Sequence, residues 1–330
     1  ERVKELYDFN LPEKSYLHGR IDGNLEDENV KLSGVLQSNL FVLQIKEALV
    51  SIFTEDWSAT YDLDVKDMRT LSKNKLTGPL DFKGHLKGVG KRVKGIAKSN
   101  SLQGDLDFSV YQDAKITIKD IALENLMSLL KQHNYVNGQL NGNVVLRWFP
   151  KETVVYDLRI DKGVLTSQAI QKMNSYKIPE NNSISFKSKG KIINKKLTSS
   201  ATVKSTLADV KFSSLNYDLE KKVLASNYDL LVHDVHMFIS KAKVAKGTPV
   251  KANGKLTFKE KLNISGVLKG MGKKVAFSHD SKTLKFDASQ LLVEKLLPLM
   301  GEPAYVKGTM DCLLYTSPSP RDKIHDLVIR

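Results

Sequence analysis

The sequence predicts a mainly β protein: an elongated, curled antiparallel sheet interrupted by short helices. Three observations predict it. Apolar residues alternate with polar ones over many short stretches, the period-two mark of strands with one covered face. Glycines punctuate those stretches at hairpin spacing, as in Lys83–Gly95. A strand, an Asp, a short apolar helical segment, a Gly and another strand recur as a unit, most clearly in ITIKDIALENLMSLLKQHNYVNGQLNGNVVL from Ile116 to Leu146.

In chain order, Val30, Leu32 and Gly34 share one face of an early strand, with Gly19 and Gly23 before them. LFVLQIKEALVSIF, from Leu40 to Phe53, fits either an amphipathic helix or two buried strands, because periodicity does not choose between them. Leu80, Phe82 and Leu86 alternate next, followed by Leu102, Leu106, Phe108 and Val110. Ile116 and Ile118 then lead to Asp120, a good N-cap for a helix carrying Leu123, Leu126, Met127 and Leu130. Leu140, Val144, Leu146 and Trp148 alternate after Gly138, and Tyr156, Leu158 and Ile160 open a third unit. Its helical segment ends before Pro179.

A run of strands with Lys- and Ser-rich outer faces follows. Leu197, Ala201 and Val203 alternate there, as do Leu215, Tyr217 and Leu219, and Tyr228, Leu230 and Val232. Val250, Ala252, Leu256 and Phe258 face together, and a closing helix carries Leu291, Leu292 and Leu299 behind an Asp287 cap, with Pro298 to end or kink it. The Asp residues closing the first strands of five units are Asp67, Asp120, Asp161, Asp234 and Asp287, too unevenly spaced for a solenoid of fixed period. LKGVGKRV at Leu86 and LKGMGKKV at Leu268 echo one another as a degenerate duplication.

Composition narrows the function classes. The chain has 330 residues, 41% of them hydrophobic, and contains no run of about 18 apolar residues that would span a membrane as a helix. It begins without Met or a signal-peptide pattern, which suggests a fragment with any targeting segment upstream. CLLYTSPSPRD, Cys312–Asp322, resembles a translated transposase sequencing adaptor, so residues 312–330 are expected to be a non-native tail and 1–311 the natural segment. The single cysteine belongs to that tail. A cysteine-free natural segment fits a periplasmic or extracellular protein, and many cytosolic proteins lack Cys too. The net charge of +14 comes from 43 Lys and only 8 Arg, without aromatic interleaving, which is a solvated lysine surface rather than a nucleic-acid stripe. Attraction to anionic phospholipid head groups is a weaker reading of the same lysines.

No catalytic constellation stands out. His233 and His236 form an HxxH without HExxH context, GVGK and GMGK lack P-loop spacing, and Asp105 and Asp107 lie on the polar side of a strand. No enzyme activity, cofactor or metal is expected.

The strand–Asp–helix–Gly–strand unit, with NGQLNGNVVL and VKANGKLTF, resembles the AsmA-like and TamB-like proteins of Gram-negative envelopes over about residues 10–311. The resemblance implies a repeating β-groove that holds phospholipid acyl chains on its way between inner and outer membranes. It also implies a periplasmic location and an inner-membrane anchor that is missing here. The inward set it points to is Leu80, Phe82, Leu106, Phe108, Ile116 and Ile118, continued by Val144, Leu146, Leu158, Ile160, Leu256 and Phe258. A closed core would use the same alternation. The rivals are a structural scaffold for outer-membrane protein assembly and a secreted β-solenoid adhesin or polysaccharide-cleaving enzyme, which would show a fixed rung length.

Overall fold

The computed structural model describes residues 15–72, 75–166, 182–237, 247–280, 283–316 and 328–329. Residues 1–14, the expected third helical segment and most of the adaptor-like tail lie outside this set. The chain forms two compact units, Glu1–Met173 and Asn174–Arg330. Each is an antiparallel meander with short helices, and among the described residues neither sheet closes on itself.

In the first unit, β1 (Leu17–Glu26), β2 (Asn29–Ser38), β3 (Phe41–Ser51) and β4 (Asp56–Val65) pair in succession. Helix α1 (Met68–Leu71) leads to β5 (Leu80–Val89), β6 (Arg92–Ser99), β7 (Gly104–Val110) and β8 (Asp113–Ala122). Helix α2 (Leu123–Leu129) and the two-residue β9 (Val136–Asn137) precede β10 (Gln139–Arg147), which lies between β8 and β11 (Thr153–Leu165). LFVLQIKEALVSIF is thus one strand, β3. Its alternating positions Phe41, Leu43 and Ile45 meet Val65, Leu63 and Tyr61 across the ladder, and that pairing outweighs its helical pattern.

The second unit has β12 (Ser183–Ile193), β13 (Lys196–Ser205), β14 (Ala208–Asp218) and β15 (Val223–Val232). A 3₁₀ turn at Val235–Met237 follows, then β16 (Val250–Phe258), β17 (Leu262–Lys269), β18 (Gly272–His279) and β19 (Leu284–Leu292). Helix α3 (Val293–Met300), β20 (Thr309–Thr316) and β21 (Val328–Ile329) complete it.

Among the described residues the registers place the helical connections of each unit on the same edge of its sheet, because an even number of antiparallel strands separates them. We call this the helix edge, and the other the hairpin edge. The helix edge holds the core. In the first unit Leu40, Val65, Leu80, Leu102, Ile121 and Leu129 are buried there. In the second, α3 covers Met271, Val275, Ala288 and Leu291, with Leu296 and Leu299 packed on them.

The recurring unit is a backbone motif at this edge. A strand-end N–H reaches the carbonyl of an inward turn residue: Lys66 to Leu40, Ala122 to Leu102, His233 to Leu207 and Leu292 to Met271, at 2.7–3.1 Å. The residue opening the helical turn then donates across to the returning chain, Met68 to Gly78, Leu123 to Gly138, Val235 to Thr248 and Val293 to Gly308, at 2.8–3.0 Å. An acidic side chain accepts a returning N–H in each copy: Asp67 from Gly78, Glu124 from Gly138, Asp234 from Gly247 and Glu294 from Gly308.

This corrects two of the expected caps. Asp120 and Asp287 do not cap helices; the N-cap positions are Ala122 and Leu292, with no side-chain cap bond, and Leu291 and Leu292 belong to β19. Asp161 sits within β11, paired with Arg159 at 3.1 Å. Asp120 instead occupies a left-handed position, φ 54°, and its N–H donates to Asn141 Oδ1. Its counterpart is Gln290, φ 51°, whose N–H donates to Asp311 Oδ1. These pairs are 170 residues apart, as are Glu124 and Glu294, Gly138 and Gly308, and the phrases Tyr135–Gly138 (YVNG) and Tyr305–Gly308 (YVKG). The LKGVGKRV and LKGMGKKV echoes fall in hairpins that are not equivalent in this frame. Pro298 lies inside α3, which ends at Gly301 in the left-handed conformation, φ 85°.

Candidate functional site

Cross-strand registers assemble the alternating apolar residues into continuous rows. In the first unit Ala59, Leu86, Gly95, Phe108, Ile116, Val144 and Tyr156 stand in one line across seven strands. The next row joins Tyr61, Gly84, Ala97, Leu106, Ile118, Gly142 and Leu158. In the second unit Tyr228, Gly254, Gly266, Phe277 and Phe286 form a row, flanked by one through Leu256 and Ile264. Phe258 pairs with Leu224 and Leu262 one row nearer the hairpin edge.

The expected inward residues therefore share one face within each unit. Leu80 and Ile160 are buried at the helix edge. Phe82, Leu106, Phe108, Ile116, Ile118, Val144, Leu146, Leu158 and Leu256 are half-buried, and Phe258 is 44% exposed. Half-burial is the decisive geometry. Neighbouring strands flank each side chain, whereas Val275 and Leu291 at the helix edge of the second unit are fully buried, with Leu296 and Leu299 of α3 packed on their cluster. Trp148, expected to continue this face, is instead exposed beyond the end of β10.

Glycines shape the floor of this face, which the alternation pattern alone did not reveal. A Cβ at Gly88 would lie 2.4 Å from the Trp57 ring, and one at Gly95 2.6 Å from Leu86 and 2.7 Å from Phe108. At Gly266 it would meet the Tyr228 hydroxyl at 2.5 Å. Large side chains thus lie down over glycines on adjacent strands. The legible signal was a glycine at an inward register position opposite an aromatic residue. Tyr228 is buried, its hydroxyl donates to the Ser265 carbonyl at 3.2 Å, and burial raises its pKa, as it does for Tyr61. Three serines interrupt the apolar rows of the second unit. Ser188 and Ser199 hydroxyls are 3.2 Å apart, and Ser226 donates to the Ser213 carbonyl.

The outer face is ionic. In the first unit Lys31 pairs with Glu47 at 3.1 Å, Lys83 with Asp62 at 3.6 Å and Lys119 with Asp107. Asp105, the other member of the Asp105/Asp107 pair, faces Lys98 at 3.9 Å. Such exposed pairs add little stability each. The basic excess is unevenly divided: residues 1–173 contain 24 basic and 23 acidic residues, residues 174–330 contain 27 and 14.

The remaining candidates have structural roles. His233 Nε2 lies 3.2 Å from Asp209 Oδ1, while His236 sits in the 3₁₀ turn, where its backbone N–H donates to Asp234. Hydrogen bonds from Gly247 and His236 hold the Asp234 carboxyl below its usual range. The arginine beside Asp67 holds that carboxyl at about 2, through the Arg69 side chain and backbone. GVGK and GMGK are hairpin turns, with Gly90 at φ 52° and Gly270 at φ 77°. Among the described residues no cluster of three His, Cys, Asp or Glu could hold a metal, and no helix is long and apolar enough to cross a membrane.

No protein-family model matches the chain, and comparison with curated proteins and with solved structures returns no match.

Proposed function

We propose that the apolar face of this sheet holds phospholipid acyl chains, and that the protein is a segment of an AsmA-like or TamB-like envelope protein passing lipid between the inner and outer membranes. The observation that supports this reading is that most large side chains of the apolar rows are only partly buried. A solvated row of Leu, Ile, Val and Phe is unfavourable at ~25 cal/mol per Å² of apolar area, and an acyl chain laid along it removes that area from water. The helix edge closes one side of the face, so head groups would sit toward the hairpin edge. The reading requires no catalytic group, cofactor or metal, and places the protein in the periplasm with its inner-membrane anchor outside this chain.

The scaffold reading rests on the same resemblance and has no separate structural support. Next-neighbour antiparallel pairing is unlike the stacked parallel rungs of a β-solenoid.

A photo-crosslinking residue at Phe108 or Val144 tests the proposal. Lipid adducts are expected there and not at Ser109 or Lys115, whose register positions belong to the outer face. Equal adducts at both sets, or none at either, would overturn it.

A further inference from the structure

The two edges treat apolar turn residues in opposite ways. In the second unit, helix-edge turns tuck their apolar residues inward, leaving Leu207 6% and Met271 8% exposed. At the hairpin edge, Leu219, Phe258, Leu262 and Leu284 remain 39–44% exposed. Hairpin tips ordinarily carry Gly, Asn, Asp or Ser for their conformational and hydrogen-bonding properties. Large apolar side chains there serve neither purpose.

Each of these tips also carries lysine. Lys221 and Lys222 follow Leu219, Lys259 and Lys261 lie between Phe258 and Leu262, and Lys285 follows Leu284. Glu260 stands between Lys259 and Lys261, and three other acidic groups beside the tips, Asp218, Asp280 and Glu220, are engaged in the turns. Asp218 accepts from the Glu220 and Lys221 N–H groups at 3.1 and 2.9 Å, Asp280 accepts from the Thr283 N–H at 2.8 Å, and Glu220 pairs with Lys195 at 2.9 Å. The Asp218 bonds also fix the tip that presents Leu219.

We propose that the hairpin edge of the second unit docks on an anionic phospholipid bilayer. The apolar tips enter the boundary between head groups and acyl chains, and the lysines meet lipid phosphates beside them. Strand spacing sets successive tips about 10 Å apart, two strands per hairpin. They form a comb that a planar interface engages all at once. A soluble polyanion would satisfy the lysines but leave the apolar tips in water, and the excess of 24 basic over 12 acidic residues in 174–311 favours an anionic surface over a neutral one. This contact is distinct from lipid held along the apolar face.

The test is vesicle flotation with the full chain, using phosphatidylglycerol/phosphatidylcholine vesicles, phosphatidylcholine vesicles and heparin. Anionic vesicles are expected to bind at least about tenfold better than neutral ones, with binding falling as salt rises. L219S/L262S/L284S should lower vesicle partition about tenfold while leaving heparin binding and face-held lipid unchanged. K221E/K222E/K259E/K261E should lower both vesicle and heparin binding. The proposal is overturned if the apolar triple variant partitions like wild type, or if K187E/K189E on the outer face abolishes vesicle binding while the tip variants do not.

Discussion

At the helix edge of the second unit, Leu291 is 1% exposed and Val275 0%, both beneath α3. A few residues toward the hairpin edge, on the same face of the same sheet, Phe258 is 44% exposed. Alternation is equally clean in both places, so the pattern in the chain does not distinguish them. What differs is the connection: a helix folds back over the face at one edge, while the other ends in tight turns that cover nothing. Burial is thereby graded along the strands of this unit. The covered end carries the packing, and under the proposed function the uncovered end is the part that meets lipid.

The largest effect that would break this comparison is at the covered end. Leu291→Ala should cost about 2–5 kcal/mol, the range for a cavity in a packed site, whereas Phe258→Ala should cost less than ~1 kcal/mol, since much of its surface already meets solvent. Urea unfolding of the two variants measures both, and equal losses would mean that the uncovered face is a conventional core. Next come the glycines of the floor. Gly84→Ala would bring its Cβ to 1.8 Å from the Ile96 carbonyl oxygen and should destabilise by ~1–3 kcal/mol. Gly308→Ala, with open space around it, should change the same transition by less than ~0.5 kcal/mol.

Smaller effects sharpen the account of the helix edge. Glu124→Ala removes the acceptor for the Gly138 N–H and should cost about 1 kcal/mol. Asp67 gives a pH signature. Its folded pKa, about 2, is depressed by Arg69, so its contribution is fully present above the ordinary carboxylate value and is lost as pH falls through about 2. A carboxyl NMR titration should show this midpoint in the wild type and a return toward the usual range in Arg69→Ala.

The sheet was legible because strand alternation is local: Ile116, Ile118, Val144 and Leu146 face together as their spacing requires. The repeat was only partly legible. Asp67 and Asp234 mark it correctly, but in the other copies Glu124 and Glu294 accept the returning N–H, and a chain search for Asp paired Asp120 with Asp287 instead of Gln290. The motif is a set of backbone bonds, so the residue identities around it can drift. Leu40–Phe53 was ambiguous because its apolar run fits both periods, and hairpin pairing of Phe41–Ser51 with β2 and β4 decides it. Trp148 was misplaced because alternation does not say where a strand stops. The asymmetry between the edges was invisible for a related reason: it depends on counting strands between helices.

Native mass spectrometry of the intact chain, purified from a host whose membranes contain phospholipid, tests the central claim most directly. The account predicts mass adducts matching phospholipids, reduced when Phe108 and Val144 are replaced by Asp. A chain that flies at its bare mass under gentle conditions, or adducts indifferent to those substitutions, would contradict it.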